Sequence, residues 1–338
     1  MGTNTVPNKK LAIFTATGCR ACENAILDIH YQVNSLARYA DIIFWPYVLG
    51  SQWKDLEVQD GLDVCFFSGA IRTVSDREAA VKLREKSRIM VALGACAAFG
   101  GLPGLGNLSR SRGPGKPSQP KPDDPEHALE EANPRLSTLE PRVSGLSQIV
   151  KVDYFVPGCP PPQNFLWAAI QSLVCEGRAP ARLSFSTARL PEAIAQAITS
   201  GILPPKGSVF AGEKAVCATC SRVKEEKRFE TYKRPYQKYE ALGRCLLEQG
   251  LLCQGITTMG GCGGLCTAMA QPCRGCFGKV DAIFDPGAKM VSAIASTFDL
   301  DDAREIDALV DNFVDLAGTF YRYTLPTQCT LFSTPSKD

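Results

Sequence analysis

The first half of the chain alternates dense apolar runs with segments of helical spacing. "KLAIFTA", Lys10 to Ala16, predicts a strand closed by Thr-Gly. In the following "CENAILDIHYQVNSLAR", Ile26, Ile29, Val33 and Leu36 recur as on one helix face. "ADIIFWP" predicts a second strand, ended by Pro46, and "GLDVCFFSGAI" a third. An amphipathic helix "REAAVKLREK" leads to a fourth strand, "SRIMVALGAC". "IVKVDYFVPGCPPP" predicts a fifth, followed by the helix "NFLWAAIQSLVCEG". Continuous apolar strands separated by helices predict a parallel sheet covered on both faces.

The periodicity then fades. "SRGPGKPSQPKPDDPEH" is rich in proline and charge and predicts a surface loop, part of an insertion over about 102–149. Leu183 to Pro205 carries one helical segment, "PEAIAQAIT". Toward the end, "GAKMVSAIASTF" and "DDAREIDALVDNFVDLAGTFYRYTL" predict two helices. The second would be capped by Asp301 or Asp302, with Ile306, Leu309, Val310 and Phe313 as its buried stripe. Two domains are expected, 1–178 and 179–338.

Net charge of +2 gives no reason to expect nucleic acid or an anionic membrane as partner. No apolar run reaches membrane-spanning length, and "MGTNTVPNKKLAIFTA" has neither a twin-arginine pair nor an export-type apolar region, so a cytoplasmic location is expected.

Fifteen cysteines change the picture, because a chain without an export pattern is not expected to build a disulfide framework. With only two histidines, His30 and His127, any metal site must be built mainly of thiolate, which selects zinc, copper(I) or iron–sulfur clusters. Cys19 and Cys22 follow the first strand, Cys96 the fourth and Cys159 the fifth. In a parallel sheet those strand ends share one edge, where ligands of open α/β sheets collect. Burial alone would explain four inert thiols, but not why all four follow strand ends. The second half holds Cys217, Cys220, Cys245, Cys253, Cys262, Cys266, Cys273 and Cys276, enough for two four-cysteine centres. Paired zinc ribbons fit those spacings too. The glycine-rich "GGCGGLCTAMAQPCRGC" has almost nothing to bury, so something other than burial must organise it, and either disulfides or a metal centre would serve.

"GCRACENAILDIH", "GACAAFGGLPGLGN", "VDYFVPGCPPP", "CLLEQGLLCQGI", "GCGGLC…PCRGC" and "DAIFDPGAKM" together resemble the small subunit of [NiFe] hydrogenases. They are most similar to the cytosolic methyl-viologen-reducing type that works with heterodisulfide reductase. The resemblance implies a flavodoxin-like N-terminal domain, followed by an irregular, helix-containing iron–sulfur cluster domain. It implies three [4Fe–4S] clusters: proximal on Cys19, Cys22, Cys96 and Cys159, medial on Cys262, Cys266, Cys273 and Cys276, and distal on Cys217, Cys220, Cys245 and Cys253. The periplasmic uptake branch of the family has a histidine where Cys217 stands and a proline where Cys266 stands, the latter leaving a [3Fe–4S] medial centre. The implied partners are a large subunit carrying the nickel–iron site, and an acceptor subunit of heterodisulfide reductase, flavin or ferredoxin type. This chain would then do no bond chemistry itself.

Cys65, Cys175 and Cys329 are left over and are expected to be inert buried thiols. The resemblance makes Asp60 and Asp63 outside candidates for a proximal ligand, Glu23 reads either as an interface or proton-route carboxylate or as a solvated or capping one, and His30 reads as structural. Three other classes compete: a complex I-like 20 kDa-type subunit, a cluster subunit of a non-hydrogenase reductase, and a zinc-stabilised interaction module. The complex I type is usually shorter, with adjacent cysteines where this chain has Cys19-Arg-Ala-Cys22.

Overall fold

The computed structural model describes residues 8–29, 36–109, 137–175, 190–225, 229, 231–297, 302, 304, 313 and 315–329. Five parallel strands form the central sheet: β1 (Lys9–Thr15), β2 (Ala40–Phe44), β3 (Leu62–Ser68), β5 (Ser87–Leu93) and β7 (Tyr154–Val156). Their spatial order is β2-β1-β3-β5-β7, the flavodoxin-like winding, with the strand order reversing at β1. Helices α1 (Ala21–Leu27), α2 (Val74–Lys86), α3 (Gly94–Phe99) and α4 (Gln163–Ile170) accompany the sheet. β3 and β5 at its centre are buried nearly throughout, as the unbroken apolar runs require; Phe44, Val64, Phe67, Met90 and Val91 are fully enclosed.

The expected third strand divides in two. Gly69, at φ +84°, turns the chain after Ser68, and Ile71–Thr73 becomes β4. It pairs antiparallel with β6 (Leu139–Ser144), a strand inside the expected insertion that its mixed polarity conceals. Arg77 holds this ribbon against α2 through a two-pronged contact with Glu140, at 2.6 and 2.9 Å. The fifth strand is only three residues long, and the connector beyond α5 (Glu192–Ser200) extends its edge, with Phe155 bridging to Val209.

The second half is irregular, with short helical turns, a two-residue-wide β8 (Gly212–Ala215) and β9 (Met259–Gly260) pair, and α6 (Pro286–Ala295) capped by Asp285. One of its hydrophobic clusters has Val216, Leu246, Leu251, Cys253 and Cys273 as its buried members, so thiols are part of that small core. Phe277 packs edge-on against Phe165 of α4 at 5.9 Å, joining this half to the main core.

The expected last helix is interrupted: Asp315 leaves helical geometry and accepts the Gly318 N–H at 2.7 Å, starting a new short helix at Leu316. Asp302 accepts the Arg304 N–H at 2.8 Å, Phe313 packs on Tyr232, and Asp301, Ile306, Leu309 and Val310 lie outside the described residues. So do Val33, His30, His127, the charged loop and the expected domain boundary.

Candidate metal centres

The register of the sheet lines up four strand ends in one row: Thr15 beside Ser68, Ser68 beside Leu93, Leu93 beside Val156. The chain leaves three of those ends into Gly18-Cys19, Gly94-Ala95-Cys96 and Gly158-Cys159. The Cys19 loop is fixed by Thr17, whose carbonyl accepts the Ala70 N–H at 2.8 Å and whose hydroxyl donates to Asp76 at 2.8 Å. Asp76 also closes the capping box of α2 with Thr73, so one carboxylate anchors both loop and helix. The Ala95 N–H donates to the Gly158 carbonyl at 2.7 Å, tying the Cys96 loop to the Cys159 loop.

Cys19, Cys22, Cys96 and Cys159 ring one cavity, floored by Ser68 and Gly69. Gly94, at φ +83°, is required there: a β-carbon would run into the Cys22 sulfur. Gly101 stands in the same relation to Cys96. Burial, then the neighbouring thiols Cys96, Cys159 and Cys19, push the Cys22 thiol above the ordinary range. Burial and the thiols of Cys159 and Cys19 push Cys96 up to about 12.

The second half forms two more groups. Burial and the neighbours Cys253, Cys245 and Cys220 push Cys217 up to about 12. Burial pushes Cys276 up to about 12 as well, followed by the neighbouring thiols Cys262, Cys266 and Cys159. Cys273 is raised by burial first, and by Cys253 and Cys276. The groups touch in sequence: Cys276 lies beside Cys159, and the Cys273 N–H donates to the Cys253 sulfur at 3.3 Å. Cys220 further contacts the Thr267 hydroxyl at 3.4 Å, next to Cys266.

These residues fit thiolate-ligated iron–sulfur clusters. The donor set is all sulfur, no disulfide joins any of the fifteen cysteines, and glycine leaves space where side chains would collide. Buried thiols that repel one another as anions ionise together only against a cationic group, which iron supplies. Among the described residues no three His, Cys, Asp or Glu side chains close around a single ion; the first four thiols ring a cavity instead.

The remaining candidates fall elsewhere. Asp63 sits at the start of β3, accepting the Lys10 N–H at 2.9 Å near Lys9 and Arg88, and exposed Asp60 precedes the same strand. Both lie at the sheet edge opposite the thiols. Cys65, Cys175 and Cys329 are buried. Glu23 is 1% exposed and accepts from Trp45 Nε1 at 3.1 Å, so it is neither solvated nor a cap to water. Its carboxyl is raised by burial, against the opposing pull of Trp45, Thr15 and Arg20. Sequence reasoning missed Thr17, Gly69, Thr267 and Tyr323, none of which carries a spacing signal.

A family model described as NADH ubiquinone oxidoreductase, 20 Kd subunit, matches residues 19–173. Across 335 residues the chain is 30% identical to the iron-sulfur G subunit of the F420-non-reducing hydrogenase of Archaeoglobus profundus, covering 94% of this chain and 96% of that one. It is 32% identical to the vhu G subunit of the F420-non-reducing hydrogenase of Methanocaldococcus jannaschii, covering 94% and 95%. The chain belongs to the family of F420-non-reducing hydrogenase G subunits. As a member of that family it is part of an oxidoreductase complex. The fold is shared with a solved actinobacterial-type NiFe-hydrogenase chain from Ralstonia eutropha H16, with a TM-score of 0.51 over 91% of both chains at 14% identity. No helix among the described residues is long and apolar enough to cross a membrane.

Proposed function

We propose that the chain is the electron-transfer small subunit of a cytoplasmic [NiFe] hydrogenase. Cys19, Cys22, Cys96 and Cys159 would hold a proximal [4Fe–4S] cluster. Cys262, Cys266, Cys273 and Cys276 would hold a medial one, and Cys217, Cys220, Cys245 and Cys253 a distal one. When bound, such clusters supply one-electron carriers between the nickel–iron site of a large subunit and an acceptor of heterodisulfide reductase, flavin or ferredoxin type.

The observation that carries this reading is contiguity: the thiols run as a continuous series, with Cys159 beside Cys276 and the Cys273 N–H on the Cys253 sulfur, as neighbouring stations would require. The chain's own residues supply the setting. Buried Phe165 and Phe277 pack near the junction of the halves, and a dry apolar shell raises the cost of charge and excludes water. Next to exposed Cys19, the Arg20 guanidinium stacks on the exposed Tyr47 at 4.5 Å, and Val48 and Leu49, which follow Tyr47 in the chain, are exposed too. That apolar face suits coverage by a large subunit. The 20 kDa-subunit model covers only the first half, and the eight further thiols favour the hydrogenase type over a complex I-like chain.

Iron, acid-labile sulfide and zinc in anaerobically purified complex test the reading. About twelve irons per chain, as three cubanes require, would support it; mainly zinc would end it and favour an interaction module.

A further inference from the structure

A segment distant in sequence closes over the place where the first two thiol groups meet. The turn Tyr321–Gln328 is bound on one side to the loop around Cys96. There Gly101 N–H donates to the Tyr323 carbonyl at 3.0 Å, and the Thr327 hydroxyl donates to the Phe99 carbonyl at 3.3 Å. Gln148 Nε2 adds a bond to the Pro326 carbonyl at 2.9 Å, and the Pro326 ring takes the space a β-carbon on Gly100 would need. On the other side, Lys279 N–H, just past Cys276, donates to Gln328 Oε1 at 2.9 Å.

The half-buried Tyr323 side chain hangs from this clamp into the junction and packs with Cys159, Cys262 and Cys276 against the main core. Its hydroxyl faces the Cys159 sulfur, with Cys276 close by. A phenol is protonated at neutral pH and so can donate.

We propose that Tyr323 is a positioning residue of the relay: its hydroxyl donates a hydrogen bond to the Cys159 sulfur, while the turn that carries it clamps the Cys96 loop to the Cys276 loop. The proposal rests on the cluster ligation proposed above. A hydrogen bond to a ligand sulfur stabilises the more negative, reduced state, so Tyr323 raises the reduction potential of the proximal centre. The medial centre, whose Cys276 is a neighbour and not the acceptor, feels it less. The aromatic ring separately keeps water from the junction.

Tyr323→Phe removes the hydroxyl and keeps the ring. The measurement is an EPR-monitored redox titration of the intact heteromeric complex, with iron and sulfide counted in the same samples. The expected result is a full iron count, a proximal potential shifted to more negative values, and a smaller shift at the medial centre. Tyr323→Leu, which also lacks the hydroxyl, should shift the proximal potential in the same direction. Unchanged potentials in a fully loaded Tyr323→Phe complex would overturn this role and leave the cluster reading standing. A wild-type complex without iron and sulfide would overturn both.

Discussion

The backbone N–H of Cys273 points at the sulfur of Cys253 and lies 3.3 Å from it, joining cysteines assigned to different centres. Together with a second bond from the Gly255 amide, it partly offsets the burial that pushes the Cys253 thiol up to about 11. Because these donors belong to the backbone, their effect on a bound centre is fixed by the fold and survives side-chain change.

Removing a ligand and removing an inert thiol should therefore read differently. Cys253→Ala is expected to lower the iron count by between about one and four per chain, as a four-cysteine site becomes three. Cys65→Ala and Cys175→Ala should keep the full count and cost only about 1–2 kcal/mol of packing. Iron and sulfide assays with denaturant unfolding of the same samples check both.

Cys266→Pro should convert the medial centre to [3Fe–4S], with loss of about one iron per chain and a new EPR signal in the oxidised state. Cys266 lies in the first turn of the helix Leu265–Ala268, where proline is tolerated because first-turn amides lack intrahelical acceptors. An unaltered cluster inventory would refute the medial grouping.

Gly94→Ala combines a left-handed backbone, φ +83°, with a collision at the Cys22 sulfur. It is expected to cost about 1–3 kcal/mol in backbone strain and to empty the proximal site, leaving the other two loaded. Gly207→Ala is the control: φ is +88° but no atom lies within 4 Å, so the iron count should hold. EPR of the reduced complexes distinguishes the two.

Acid sensitivity should trace to Asp153, buried beneath β5 and β7. Burial alone would raise its carboxyl, but the Met90 amide at 2.9 Å, Arg84 at 2.6 Å and Lys206 at 2.9 Å outweigh it and hold it low. A depressed folded-state value gives stability that is present above the unfolded value near 3.9 and is lost as pH falls through the folded one. Asp153→Asn should cost about 3 kcal/mol at pH 7, with the gap to wild type narrowing as pH falls below the unfolded value and through the lower folded one. Urea unfolding at both pH values checks the sign.

The central sheet was legible because its strands are buried on both faces, and "SRIMVALGAC" can hardly be anything but a covered parallel strand. The convergence of Cys19, Cys96 and Cys159 followed from strand direction, which periodicity reveals. What stayed hidden depends on contacts between distant residues. β6 reads "LEPRVS", with too few apolar positions to announce a strand, and exists because β4 offers it a partner. Asp315 breaks a run whose helical spacing continues through it, since capping competes with propagation at any aspartate. Tyr323 has no neighbour in sequence that marks it; only the closed turn brings it to Cys159.

The bond from Thr327 to Phe99 spans 228 positions, and that from Gln148 to Pro326 spans 178. Loop closure over such separations is slow compared with forming the sheet. During synthesis the rim around Cys96 must therefore wait, uncovered, until the chain has been made past Thr327. That delay leaves the Cys96 thiol open to solvent after the sheet around it has formed.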